Sequence, residues 1–430
     1  MSSRVLVVGA SMGGLRAAEQ LRAQGFDGDI TVVGAESHLP YNRPPLSKDV
    51  LAQHRDSDNS GIEHWHRDVA FRQRKSTADV AWRLGQPAVA ADLTERTLTL
   101  ADDTVLAYDG LVIATGLRPR RLDLAGPRQG RHVIRTLDDA IGLRAELRPD
   151  ARVVVVGGGF IGCETAATAA KIGAGVHIVE PQPVPMIRPL GAALGRALQR
   201  VHEDRGVTVH TGVAVAGLIA DPADPDQLRG VELSDGTVLG TDVLVESVGS
   251  HPNVEWLTGN GLDLSNGVLC DNHMRVLAAR GAVAVGDVAR FPDPTTGGVA
   301  RRIEHWCIPT DTAKRAAKTL IADLAGRPDD DAAFLPLPAF WSDQYDVRLQ
   351  GYGTPGDADR IDVLDGAVDD TGATAPAAGT VVGYYRGDAL VGVVMITPTS
   401  TQNLHYRAQV DTARPPTARL THPIDPQEDP

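Results

Sequence analysis

The sequence predicts an α/β fold with two similar parallel-sheet units, because one strand-turn-helix pattern occurs twice. The apolar run Val5-Leu6-Val7-Val8 leads directly into GASMGG at 9–14, after which Leu15, Ala18 and Leu21 recur at helical spacing. Val153-Val154-Val155-Val156 leads in the same way into GGGFIG at 157–162 and a helix predicted through Lys171. A third observation supports duplication: TVLAYDGLVIATG (104–116) and TVLGTDVLVESVG (237–249) align without a gap and end on Gly116 and Gly249.

Each element follows from local chemistry. Gly25 is placed to end the first helix, and the turn Asp27-Gly28-Asp29 returns the chain to a strand Ile30-Thr31-Val32-Val33 ending near Glu36. A carboxylate at that strand tip can accept from both hydroxyls of a ribose. The second copy has all three glycines of a dinucleotide loop. Gly157 makes the tight turn, Gly159 lets the backbone approach a pyrophosphate, and Gly162 lets helix and strand pack closely. Its second strand, at 176–179, closes on Glu180. The first copy carries Ser11 where the middle glycine is usual, between Gly9 and the pair Gly13-Gly14. The repeated apolar segments follow Asp102-Asp103 and Ser234-Asp235-Gly236, turns of the kind that join hairpin strands. Ala282-Val283-Ala284-Val285 then reads as another buried strand, ending in Gly286-Asp287. Two Rossmann-like dinucleotide-binding units result. A linker is expected around 326–335, antiparallel strands over the last hundred residues, a flexible loop at 367–379 and a disordered Pro-rich tail from about 412.

Bulk properties exclude several classes. A chain of 430 residues is too long for one core, so two or three domains are expected. No apolar stretch approaches the ~20 residues of a membrane helix, and no signal peptide precedes the first strand, so a cytoplasmic protein is expected. Cys163, Cys270 and Cys307 are an odd number without a Cys-x-x-Cys pair, which argues against disulfides, a zinc site or a redox dithiol. His64 and His66 invite a metal reading, but no further ligands cluster with them, and exposed loop histidines with no metal are expected. A net charge of −13 argues against nucleic acid. Local basic patches remain at Arg72/Arg74/Lys75 and at Arg301/Arg302 with Lys314/Arg315/Lys318.

GASMGG, PYNRPPLSK (40–48), ATGLRPR (114–120), GGGFIGCE (157–164), GDVAR (286–290), EHW (304–306) and FWSDQYD (340–346) occur in this order. As a set they resemble the FAD-dependent ferredoxin reductases of oxygenase systems, over roughly residues 4 to 355. The resemblance implies an FAD-binding domain from 1–116 and 248–325, an NAD-binding domain at 117–247 and a C-terminal α+β interface domain at 326–411, before the tail 412–430. It implies that Gly9, Ser11, Gly13, Gly14 and Glu36 hold the ADP half of FAD, since family members also carry Ser or Ala at the Ser11 position. Arg43 and Lys48 would lie beside the isoalloxazine, Thr115 and Gly116 along the flavin, and Asp287 on the ribityl chain, with Arg120 and Trp306 also at the cofactor. Gly157, Gly159, Phe160, Ile161, Gly162, Glu180 and Gly249 would hold NADH, with Glu164 near its carboxamide. Lys48 and Glu164 are the implied catalytic residues. Residues 53–80 and 367–379 depart from the family pattern.

Nicotinamide gives up two electrons as hydride whereas an iron–sulfur centre accepts one at a time, so flavin must stand between them. The expected activity passes electrons from NADH through FAD to a ferredoxin serving an oxygenase. An NADH oxidase or diaphorase, and a flavoprotein that only binds, remain open alternatives. PYNRPPLSK contains no cysteine, so a thiol mechanism is not expected. Ferredoxin partners of the family are usually acidic, so docking is expected on a basic patch, with Arg301, Arg302, Arg315 and Lys318 the first choice. A monomer or weak dimer without membrane or nucleic-acid partners completes the expectation.

Overall fold

The computed structural model describes residues 3–53, 61–294, 298–329, 332–369 and 371–414. Buried β-branched runs between glycine turns make its two parallel sheets. The strand Arg4–Val8 lies at the centre of the first, flanked by Asp29–Val33 and Gly110–Ile113, with Ala81–Arg83 and Ala282–Ala284 outside them. Arg152–Val156 occupies the same central place in the second, between Gly175–Glu180 and Val243–Glu246. Val7, Val32, Leu111 and Val283 are fully or almost fully buried, as are Val154, Ile178 and Leu244. A strand covered on both faces must be apolar throughout, which is why these runs do not alternate.

The helices Met12–Ala23 and Phe160–Ile172 start inside the two glycine motifs, with Ser11 and Gly159 as their N-caps. Gly25 and Gly173 stand just beyond them with φ of 89° and 101°, the left-handed conformation that ends helices. The turns at 102–103 and 234–236 join antiparallel strands, Thr97–Leu100 to Val105–Ala107 and Asp224–Leu233 to Val238–Gly240. Beyond the long helix Ile308–Leu324, five antiparallel strands form a separate sheet, and the helix Ser400–Ala413 packs on it. That helix covers the first two residues of the expected tail, and residues from 415 lie outside those described.

One expectation fails in the segment 53–80. His64 and His66 do not sit on a loop but on the helix Ile62–Val69, because Trp65 and Val69, four apart, bury against the core. His66 bonds the Leu39 carbonyl oxygen at 2.8 Å through Nε2. Among the described residues no three metal-ligating side chains cluster, and no helix is long and apolar enough to cross a membrane.

Candidate active site

A cavity of about 1260 Å³ opens where the two parallel-sheet units and the C-terminal sheet meet. It exceeds the ~300–1,000 Å³ of ordinary small-molecule sites. One wall is the first glycine loop. A Cβ on Gly9, whose φ is 122°, would lie 2.1 Å from the Ala114 carbonyl oxygen, and one on Gly14 would lie 1.9 Å from that of Gly9. Packing alone therefore demands these two glycines. A Cβ at Gly13 would make only ordinary contacts, the nearest at 3.5 Å. Ser11 is the helix N-cap, and its Oγ accepts from the Arg43 guanidinium at 3.2 and 3.3 Å.

Arg43 lines the same cavity as Lys48. Its side chain reaches back from the Pro44–Ser47 turn to Glu36, at 2.5 Å, and to Ser11. The other Glu36 oxygen accepts from the Tyr41 hydroxyl at 2.5 Å, and burial pushes the Tyr41 phenol up. Arg43 therefore belongs with the strand tip and glycine loop, because a nearby carboxylate captures a buried guanidinium.

Lys48 and Glu164 meet across the two units. Lys48 Nζ donates to Glu164 Oε2 at 2.6 Å, as does the Ser47 hydroxyl at the same distance. Glu164 is carried on the first turns of the Phe160–Ile172 helix, and Phe160, Ile161 and Glu164 all face the cavity. Opposite them, Thr115 donates to the Asn253 carbonyl oxygen at 2.7 Å, and Gly116 turns the chain at φ 61°. Burial pushes the Asp287 carboxyl up to about 6, against the Arg135 guanidinium 4.0 Å away. Trp306 lines the rim and stacks on Phe71 at 6.2 Å between ring centres.

The second loop reaches the cavity wall through Phe160 and Ile161, whereas its glycines Gly157, Gly159 and Gly162 lie outside the lining. Cβ atoms on Gly157 and Gly162 would lie 2.3 Å from the Ser247 oxygen and 2.0 Å from the Gly157 oxygen, matching Gly9 and Gly14. Gly159 differs, since a Cβ there would meet nothing within 4 Å. No neighbour in the chain explains its missing side chain. Glu180 closes the loop by accepting from the backbone N–H of Gly158 at 2.6 Å and of Gln182 at 2.8 Å. Gly249 bonds Arg120 through backbone alone, its carbonyl oxygen accepting at 2.9 Å, and the Arg120 side chain is exposed outside the cavity lining.

Several residues at or beside the cavity escaped the sequence reading. Arg135 precedes a helix whose capping box pairs Thr136 with Asp139, the one local signal there. Ser342 bonds Glu164, and Phe340 packs on Phe160 at 5.2 Å; both lie inside the quoted FWSDQYD segment, where their distance in sequence hid the contact. His305 sits edge-on to Phe340, and burial holds its imidazole down at about 4.

The basic patch chosen for docking is not a free patch. Arg301 pairs with Asp293 and Asp357 at 2.6 Å each, Arg302 with Glu304 at 2.8 Å, and Arg315 with Asp329 at 2.5 Å. Arg301 and Arg315 are drawn inward by Asp357 and Asp329, 56 and 14 residues away, whereas Arg302 pairs with its near neighbour Glu304. Cys163 and Cys270 are fully buried with their thiols pushed up by burial, and no cysteine lines the cavity.

Two glycine loops opening on one region, with an ion pair joining their units, define an oxidoreductase that brings two dinucleotides together. Comparison with known proteins gives the family. Residues 3–311 match the pyridine nucleotide-disulphide oxidoreductase model, and 339–427 match a reductase C-terminal model. The chain belongs to this family, and FAD and NADH are its cofactor and electron donor. It is 34% identical to the ferredoxin–NAD(+) reductase component of the p-cumate 2,3-dioxygenase system of Pseudomonas putida, over 84% of this chain and 83% of that one. It is 34% identical to rhodocoxin reductase of Rhodococcus erythropolis, over 85% and 81%. The solved covalent putidaredoxin reductase–putidaredoxin complex is similar with a TM-score of 0.83 and 30% identity, covering 95% of this chain and 93% of that one.

Proposed function

We infer that the chain is an NADH-oxidising flavoprotein that passes electrons to a ferredoxin, and that this ferredoxin serves an oxygenase. The observation that carries the reading is the Lys48–Glu164 pair, which ties the segment after the first glycine loop to the helix after the second, at one cavity. Bound FAD supplies the step between a two-electron donor and a one-electron acceptor. The chain's residues would hold and orient the partners. Gly9, Ser11 and Gly14 would receive the FAD pyrophosphate at a helix N-terminus, and Glu36 with Arg43 would fix its ADP half. Lys48 would present its ammonium to the flavin, where a fixed cation favours the anionic reduced ring. Gly159 and Glu180 would take the NADH pyrophosphate and adenosine ribose.

The domain division 1–116 with 248–325, 117–247 and 326–411 is part of this reading. Support comes from the sheets: Ala282–Ala284 joins the sheet of Arg4–Val8, and Val243–Glu246 that of Arg152–Val156. A cytoplasmic, monomeric or weakly dimeric protein belongs to it as well, supported by three free cysteines. The deciding measurement is NADH-driven cytochrome c reduction with and without added ferredoxin. A rate that rises steeply with ferredoxin is expected. Full activity without it would instead make the chain an NADH oxidase or diaphorase.

A further inference from the structure

The FWSDQYD segment supplies more than a wall to the cavity. Ser342 and Gln344 are both fully buried on the strand Ala339–Gln344 of the C-terminal sheet, an unusual place for two polar side chains. Buried polar groups are retained at a cost unless every bond is made. Here the bonds form one chain with one direction. Burial holds His202 at about 4, so its imidazole is neutral at pH 7. Its Nε2–H can then donate to Gln344 Oε1 at 2.9 Å, with the Tyr345 hydroxyl 3.4 Å from Nδ1. Gln344 Nε2 donates to Ser342 Oγ at 3.1 Å, and Ser342 Oγ donates to Glu164 Oε1 at 2.8 Å. The Asp343 N–H adds a bond to the same oxygen at 3.3 Å. The other oxygen, Oε2, is thereby left to Lys48 and Ser47.

We propose that Ser342, steered by Gln344, is a positioning residue for the Lys48–Glu164 pair. It holds one carboxylate oxygen so that the other fixes the Lys48 ammonium at the cavity. The neutral His202 fixes the Gln344 amide in the one orientation that turns its N–H towards Ser342. Without the hydroxyl, Oε1 keeps only the longer backbone bond. The Glu164 carboxylate is then held less firmly and fixes Lys48 less well, and a less fixed ammonium disfavours extra negative charge beside it. The C-terminal sheet thus contributes to the redox site through an acid on another unit.

The proposal rests on Lys48 facing the flavin, and the test separates the two. FAD-loaded wild-type, Lys48→Met, Ser342→Ala, Ser342→Thr and Lys48→Met/Ser342→Ala proteins are titrated for flavin midpoint potential and followed for reduction by NADH. Ser342→Ala should lower the reduction equilibrium constant about tenfold, roughly 30 mV for a two-electron couple. Ser342→Thr, which keeps the hydroxyl, should restore it to within about twofold. In the Lys48→Met background the alanine change should shift nothing. An unshifted Lys48→Met potential would overturn the reading of Lys48 itself. A normal potential in Ser342→Ala, equal losses in Ala and Thr, or a shift that persists without Lys48 would overturn the positioning role alone. If Ser342→Ala does not fold, Gln344→Met decides: it keeps Ser342 but removes its donor, and should shift the potential the same way by about threefold. No shift there overturns the proposal.

Discussion

Ser11 is the N-cap of its helix, but its hydroxyl accepts from Arg43 instead of capping the helix. Its Oγ holds Arg43, which in turn holds Glu36, so the residue that departs from the glycine pattern anchors the loop to the strand tip. Removing that hydroxyl forfeits about 0.5–1.5 kcal/mol. Ser11→Gly should therefore retain most of its flavin, whereas Ser11→Leu places a branched side chain in the cavity and should be isolated largely without it. Flavin absorbance per polypeptide decides, and a fully yellow leucine variant would remove the first loop from the FAD site. Glu180 makes a second prediction at this scale. Its carboxylate is fixed by two backbone N–H groups, and in the proposed function it faces the adenosine ribose, where NADPH carries its 2′-phosphate. Like charges in a half-buried site cost on the order of 1–3 kcal/mol. NADH should be preferred at least tenfold in kcat/KM, and Glu180→Ala should narrow the ratio. Equal efficiencies in the unaltered protein would refute it.

The two strand-turn-helix elements separate glycines needed by the fold from glycines that packing does not require. Gly162 faces the Gly157 carbonyl oxygen with no room for a methyl group, while Gly159 has open space and φ of −79°. Gly162→Ala should destabilise the protein by about 3 kcal/mol or more, as overpacking against backbone does. Gly159→Ala should fold at least as well, since alanine restricts the unfolded chain by ~0.4–1 kcal/mol. It should nonetheless raise the KM for NADH severalfold. Thermal midpoints and NADH kinetics measured together test the contrast, and a Gly159→Ala protein with normal KM would make that glycine incidental. Both loops were legible because each strand, turn and helix start is a local pattern. The helix at Ile62–Val69 was not, because only the core contacts of Trp65 and Val69 reveal its period among polar neighbours.

Two behaviours belong to the molecule as a whole. His202 is buried and His305 half-buried, with imidazoles held down at about 4, well below the ordinary 6.5. The unfolded chain therefore binds more protons between those values, so the stability is present above pH 6.5 and lost as pH falls towards 4. Each histidine accounts for roughly 3 kcal/mol at most. His202→Gln should flatten the acid limb of a urea-midpoint profile between pH 7 and 4.5, and an unchanged slope would show that His202 does not titrate there. The second behaviour is docking. With Arg301, Arg302 and Arg315 paired internally, the exposed segment 72–75 becomes the favoured basic surface, beside Phe71 and hence beside Trp306 at the cavity rim. Reversing Arg72 and Lys75 to Glu should weaken ferredoxin coupling at least fivefold at low salt, with less effect as the Debye length shrinks to ~8 Å. Ferricyanide reduction should be unaffected. An unchanged ferredoxin KM would rule this surface out.

By itself the sequence determined the two nucleotide units, their glycine loops, the acids at their strand tips and the absence of cysteine from the segment after the first loop. Those features are short-range: a buried strand, a tight turn and a helix start are written within about thirty residues. Only the tertiary structure decided where the long charged side chains go. Arg43 turned to Glu36, and Arg301 and Arg315 turned inward to carboxylates. It also brought Ser342 to Glu164 across 178 residues of chain. A flexible side chain's partner is set by which opposite charge or open bond the packed fold brings within ~3 Å, and no local pattern carries that distance.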